Sequence, residues 1–390
     1  MNPRTPTLNL DLCLLIMEVA SKAAVAKLMA TCKTFNRAGT KYLFIPPLTI
    51  TKATHLLSFI SFFLPPNNPR TVKYRTQFPV GLSIHLLDPS HNALLAPALT
   101  WFFTVIVPTM PHFTHLELQH VEGLLSVNPG LGKAIAALTR LEVLKVTKGG
   151  ALCGDMLEAM RSSLVYAYIH LDQEADRMER EPDCLLRNSH ATLRVLETHA
   201  TESVHRHGTT FPGLQSLSHY DCGFPLTGQL MRICPNLRYL HINQSSGQKW
   251  PEVEEYHQSH RNSLGGEACV WTSLYKYTGS LNALYMLGLT CHISIVDIHD
   301  EKNPFTAPAL RELLQDTTPS HLILRTSWTG ASYYLNNGFV ALMSQPGLWR
   351  WPMKTLELVI TFRPADKGVN LDDMLVSPSD SPRVHPCSRI

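Results

Sequence analysis

Short segments in which apolar and polar residues alternate recur along most of this chain. They lie at residues 81–86, 113–118, 141–146, 193–197, 214–217, 237–242, 284–289, 321–324 and 355–360, and 165–171 is a degenerate member. A period of two predicts strands with one covered face. Between them lie helix-compatible stretches at 132–138, 154–162, 227–233, 308–314 and 338–344, several followed by Pro or Gly just before the next strand. Strand and helix in alternation predict an α/β fold: a parallel sheet with helices on the outside.

With the leucines at 116, 144, 196, 217, 240, 287, 322 and 356 as markers, the intervals are 28, 52, 21, 23, 47, 35 and 34. Ile169 splits the 52, and the 47 leaves room for a further unit near 264–277. The spacing is irregular, in the twenties to thirties, close to that of leucine-rich repeats. A unit of this size cannot bury its own apolar face, so the expectation is an irregular solenoid stabilised by stacking of neighbours over 81–362. An ordinary α/β sheet is the alternative. The recurring Leu-x-x-Leu-x-apolar pattern argues against it.

The first 45 residues differ. Leu12, Leu15, Ile16 and Val19 recur at helical steps, and Val25, Leu28, Met29 and Cys32 repeat the spacing behind Ser21, a residue suited to cap a second helix. A third helix is expected around 35–42. Pro46 and Pro47 end this helical head. A connecting helix at 55–64 and a Pro-rich loop fill 46–80, and 363–390, rich in Pro and Asp, reads as a disordered tail.

Composition narrows the function classes. Charged residues make up 17% of the chain and the net charge is +3, short of the basic footprint of a nucleic-acid binder. No nucleic-acid partner is expected. The apolar stretch 93–107 contains Pro97 and falls short of a bilayer span, so no membrane partner is expected either. Nine dispersed cysteines fit free thiols in a cytoplasmic or nuclear protein better than a disulfide framework.

Candidate chemistry is sparse. Pro129-Gly130-Leu131-Gly132-Lys133-Ala134 lacks the first glycine and the hydroxyl of a phosphate loop. His257 and His260 share one helical face without a third or fourth ligand nearby, and His205 and His207 stand in a loop, so neither metal nor cofactor is expected. No nucleophile elbow occurs, and Ser273 with Lys276 lacks the supporting motifs of Ser-Lys chemistry. Asp172, Glu174, Asp176, Arg177, Arg180 and Glu181 read as a mixed-charge helix surface. The expectation is a binding protein and not an enzyme; an unrecognised hydrolase on an α/β sheet is the most distant alternative.

The order of residues in the head, from Leu8-Asn9-Leu10-Asp11-Leu12 through Ile16 to Leu28-Met29-Ala30-Thr31-Cys32-Lys33-Thr34-Phe35, resembles the F-box. Asn9 stands where that motif has proline, and Phe35 where tryptophan is common. The arrangement of such a head before a leucine-rich array looks like that of F-box-like proteins of mushroom-forming fungi. The resemblance implies that Leu8, Leu10, Leu12, Ile16, Leu28, Cys32 and Phe35 bind a Skp-type adaptor of a cullin ubiquitin ligase. The alternative is that they only pack the head on the first repeats. It also implies that the array holds an unknown protein substrate. The outward strand positions Glu117, Lys145, Arg194, Arg238, Tyr239 and His241 are the candidates, with His115, Glu142, Glu197 and Gln215 beside them. A leucine-rich scaffold with no ligase role is the second reading.

Overall fold

The computed structural model describes residues 9–44, 47–64, 76–85, 89–172, 182–199, 209–220, 226–243, 250–264, 271–300, 307–327 and 353–361. Three helices open it: α1 (Leu10–Val19), α2 (Lys22–Met29) and α3 (Lys33–Phe44). Asn9 caps α1 by accepting from the Asp11 N–H (2.9 Å), and Ser21 caps α2 as expected, accepting from Ala24 (3.3 Å). Phe44, at the end of α3, packs edge-on against Phe59 of α4 (Ala53–Phe63), with ring centres 6.3 Å apart. That contact joins head to sheet.

Among the described residues the twelve strands are β1 (Leu48–Ile50), β2 (Gly81–Ile84), β3 (His115–Leu118), β4 (Val143–Gly149), β5 (Tyr166–Leu171), β6 (Val195–His199), β7 (Ser216–Tyr220), β8 (Tyr239–Asn243), β9 (Ser273–Gly279), β10 (His292–Asp300), β11 (His321–Ser327) and β12 (Thr355–Thr361). They form one sheet whose spatial order is the chain order, every pair parallel. This is a solenoid-like α/β arrangement, because each strand pairs only with the strands before and after it in the chain, among the described residues. The helices between strands are α5 (Asn92–Trp101), α6 (Val121–Val127), α7 (Pro129–Ala136), α8 (Ala151–Glu158), α9 (Pro182–Leu185), α10 (Thr227–Ile233), α11 (Trp250–Leu264), α12 (Leu281–Met286) and α13 (Ala307–Thr317). They lie against one face of the sheet and leave the other open, as the burial of every second strand residue shows.

Two rows of inward side chains run across the strands. The first is Leu82, Leu116, Leu144, Ala167, Leu196, Leu217, Leu240, Tyr277, Val296, Leu322 and Leu356, each in register with the next. The marker leucines other than Leu287 thus occupy one line. The second row, from Ile84 to Leu358, is apolar except at Thr198, His219 and Gly279. Hydroxyls close the turns behind the strands: Ser162 donates to the Leu138 carbonyl (2.6 Å) and accepts from Leu141 N–H (3.2 Å). Ser189 repeats this one unit on, with the Ser162 carbonyl and the Leu164 N–H.

Four expectations need correction. Residues 284–289 are not a strand: Leu281–Met286 is helical, capped by Ser280, and the strand of that unit is His292–Asp300. Leucine spacing alone does not separate the two when a helix carries leucines at the same interval. The sheet also starts earlier than 81, since Leu48–Ile50 pairs in parallel with Leu82–Ile84 from within the stretch expected to connect. Ile169 does not carry the marker position of its unit; Ala167 does, and Ile169 lies in the second row. The apolar stretch around Pro97 is longer than expected, continuing through a π-turn and a 3-10 turn as Asn92–Thr109. By length and composition that run is apolar enough to cross a membrane, though here Leu95, Leu99, Phe102 and Phe103 are fully buried in the core. The expected helix at 338–344, the charged segment after Asp172, His205, His207 and the expected tail lie outside the described residues.

Candidate functional site

Two surfaces carry the candidate residues. The first is on α1, whose sequence is apolar on more than one side. Cys13 and Met17 turn inward and are buried, whereas Leu12, Leu15, Ile16 and Val19 are 49, 61, 43 and 86% exposed. Steps of three, one and three place those four on one stripe of the helix. Leu15 and Val19 are on the expected helical stripe but were not among the expected contact residues. Leu28 and Phe35 are half-buried at the junction of α2 and α3, and Cys32 is exposed there, its thiol accepting the Phe35 N–H at 3.4 Å. Leu8 lies outside the described residues, and Leu10 opens α1.

The second surface is the open face of the sheet. Its middle row reads Ser83, Glu117, Lys145, Tyr168, Glu197, Ser218, His241, Thr278 and Asp297 across β2 to β10. Glu117, Lys145 and His241 are therefore in one line, as expected. Tyr239 belongs to the adjoining row and meets Tyr275 edge-on at 5.3 Å. Arg194 and Arg238 precede β6 and β8 on the rim, both exposed, with Gln215 between them in the ladder.

At the centre of the face lies a stripe of rings. His199 stacks on Tyr220 with centres 4.2 Å apart and planes 7° from parallel, and His170, Tyr168 and His241 extend the series at 5.1 and 5.2 Å from His199 and 4.7 Å from Tyr220. Tyr166 donates to Glu197 at 2.7 Å, and burial with that carboxylate pushes its phenol up. Burial, with Glu197 close by, raises Tyr168 and Tyr220 as well. Burial lowers His241, helped by His299 and Lys276 against the pull of Glu197 and Asp297. Tyr166, Tyr168, Tyr220 and His241 are all pushed toward their neutral forms. Beside them the buried Asp297 holds Arg325 Nε at 2.8 Å, Lys276 Nζ at 2.9 Å and His299 Nε2 at 3.2 Å. Burial opposes its charge, but Arg325 and Lys276 outweigh that and keep its carboxyl below the usual range.

Sequence reasoning missed this stripe for identifiable reasons. Tyr166, Tyr168 and His170 alternate with Ala167 and Ile169, a strand pattern with too little leucine to stand out. His199 and Tyr220 close strands that run two and three residues beyond the expected ends at 197 and 217.

Ser83, His85 and Glu117 meet at the start of the face. Ser83 Oγ is 2.7 Å from His85 Nε2 and donates to Glu117 Oε2 at 2.8 Å, while His85 Nε2 also lies 2.9 Å from Glu117 Oε1. A nucleophile triad needs the two imidazole nitrogens divided between hydroxyl and acid. Here one nitrogen faces both, and the hydroxyl proton points at the carboxylate. The group is a closed hydrogen-bond knot.

His257 and His260 are buried on the helical side. His257 stacks on Tyr285 at 3.9 Å and donates Nδ1–H to the Tyr285 carbonyl at 2.6 Å; His260 Nδ1 bonds Thr227 at 3.0 Å. Glu312 gathers Arg261 (2.6 Å) and the Tyr285 hydroxyl (3.1 Å) around them. Among the described residues no group of three His, Cys, Asp or Glu side chains is placed to hold a metal ion. Ser273 and Lys276 lie on β9, three positions apart on the strand.

The fold and these surfaces define the chain as an α/β protein with a sequential parallel sheet, an open face of aromatic and imidazole side chains and an apolar stripe on its first helix. No family model matches the chain, and no curated protein matches its sequence.

Proposed function

We propose that this chain is the substrate-recognition subunit of a Skp-cullin-F-box type ubiquitin ligase, an F-box-like head followed by a leucine-rich-repeat-like array. The observation that carries the reading is the stripe Leu12, Leu15, Ile16 and Val19, left open on the first helix while the same helix is anchored through Cys13 and Met17. An amphipathic helix face of this spacing fits an apolar groove on a partner. Burying these partly exposed aliphatic side chains is worth about 1 kcal/mol or more each on the usual scale for apolar area. The leucine row behind the open face supports the array reading, because it puts an inward leucine at the same register in most units, with Ala167, Tyr277 and Val296 in the others. Substrate is held on the open face by the ring stripe with Arg194, Arg238 and Tyr239 at its rim, Tyr and Arg being the residue types that anchor interfaces. Catalysis belongs to the other subunits, and this chain acts by raising the local concentration of the reacting lysine. The cytoplasm or nucleus is the setting.

The test is a pull-down of the full chain against purified Skp adaptor, with Ile16→Asp and Val19→Asp as controls. Both positions face outward, so the controls keep the head folded. The expected result is micromolar or tighter binding that each control weakens strongly. Absence of binding, or binding indifferent to both controls, sinks the ligase reading and leaves a scaffold whose open face recruits partners alone.

A further inference from the structure

At the β1–β5 end of the open face is a hollow of about 350 Å³. Pro47, His115, Val143 and the ring of Tyr166 wall it, with Glu117 and Lys145 in its lining. A space of this size takes one large side chain and the backbone around it.

The charges around the hollow are unevenly satisfied. Glu117 is the residue in register with Lys145 on the neighbouring strand, the natural counter-charge. Its two oxygens are nevertheless taken by the strand on its other side, Oε2 by the Ser83 hydroxyl and Oε1 by His85 Nε2. Tyr166 is likewise committed, donating its hydroxyl to Glu197. Lys145 has no carboxylate within ion-pair distance among the described residues, and its ammonium rests over the Tyr166 ring at 5.4 Å from the centre. A hollow therefore opens beside a cation whose in-register acid, Glu117, has both oxygens hydrogen-bonded to the neighbouring strand.

We propose that this hollow is an anchor site for a peptide carboxylate adjoining a bulky apolar side chain, the side chain filling the hollow and the carboxylate pairing with Lys145. The proposal rests on the reading of the open face as a substrate surface and names the chemistry that surface selects. His85 and Ser83 act as positioning residues: by holding Glu117 they keep Lys145 available. A carboxylate of this kind occurs at a chain's C-terminus or on an internal Asp or Glu.

The experiment measures binding of three fluorescent peptides to the full chain. One ends in Gly-Ser-Gly-Ser-Phe with a free carboxylate, the second is its C-terminal amide, and the third is an amide carrying an internal Phe-Asp. At least one carboxylate peptide is expected to bind about three- to tenfold more tightly than the plain amide, the range for a partly exposed charge pair. Which one does so identifies the source of the carboxylate. In Lys145→Gln the preference is expected to fall to about one, while apolar binding persists. In His85→Ala it is expected to shrink because Glu117 is freed to reach Lys145, an effect that merely structural damage would not confine to the carboxylate peptides. Val143→Trp, which fills the hollow, is expected to abolish binding of all three. Equal binding of acid and amide, a preference unchanged in Lys145→Gln, or no saturable binding of either carboxylate peptide overturns the proposal. Adaptor binding is measured on the same preparations, so failure of the hollow with adaptor binding intact leaves the ligase reading standing, and the converse leaves the hollow standing.

Discussion

His219 is the residue most exposed to a quantitative test. It occupies the second inward row of the sheet, between Thr198 and Ile242, in a line that is aliphatic apart from Thr198 and Gly279. Its Nδ1 lies 2.7 Å from the Thr198 hydroxyl, and Nε2 is buried without a hydrogen-bond partner among the described residues. Burial lowers its pKa from 6.5 to about 4. The unfolded chain thus takes up a proton near pH 6.5 that the folded chain refuses until about pH 4. Stability is unaffected above 6.5, falls as pH drops through that window and levels off below it. At about 1.4 kcal/mol per pH unit the whole window is worth about 3 kcal/mol, of which about 2 kcal/mol is lost between pH 7 and 5. Urea unfolding of the wild type and of His219→Leu, compared at pH 7 and pH 5, isolates this contribution because every other titrating group is shared. The wild type is expected to lose about 2 kcal/mol more than the variant. Parallel losses, or an imidazole that titrates near 6.5 by NMR in the folded protein, would refute the argument.

Three further outcomes follow from contacts between neighbouring units. Replacing Ser189 by Ala strands the Ser162 carbonyl and the Leu164 N–H and is expected to cost about 1–3 kcal/mol in urea unfolding. Glu122 accepts from the N–H groups of Gly150 (2.7 Å), Leu152 (3.0 Å) and Cys153 (3.0 Å) at the start of α8. Glu122→Ala is therefore expected to cost about 1–2 kcal/mol and to speed hydrogen exchange at Leu152 and Cys153, with Glu122→Gln intermediate. Gly279 has φ +150° and sits where a Cβ would run into the Ile242 carbonyl oxygen. Gly279→Ala is expected to lower the stability by about 2 kcal/mol or more, seen as a fall in the unfolding midpoint.

What the sequence conveys about this protein is set by how each feature is encoded. The leucine line was legible because one residue type recurs at one register, so Leu116, Leu144, Leu196, Leu217 and Leu240 could be aligned by spacing alone. Where another residue takes the same place the signal fades: Tyr277 and Val296 hold the row in β9 and β10, and a run of leucines in the intervening α12 imitated a strand instead. Outward positions of individual strands were equally legible, since parity follows from the inward row. Their assembly into a ring stripe was not, because Tyr168, His199 and Tyr220 come from three units whose adjacency is a property of the register.

The head poses the same problem in another form. Periodicity reports that a helix has an apolar face and says nothing of what covers it. In α1 nearly every position is apolar, and both the Cys13–Met17 edge and the Leu12, Leu15, Ile16, Val19 stripe satisfy helical spacing. If burial within the chain alone governed the arrangement, the larger aliphatic stripe would face α3, because it removes more apolar area from water. The opposite orientation is found: the sulfur-bearing edge is inside, and Val19, at 86% exposed, is among the residues left in water. The area forgone in the isolated chain is available to an intermolecular contact, and a charged substitution on that stripe should therefore disturb association far more than folding. That asymmetry separates a docking face from a loosely packed one, and Ile16→Asp together with Val19→Asp measures it.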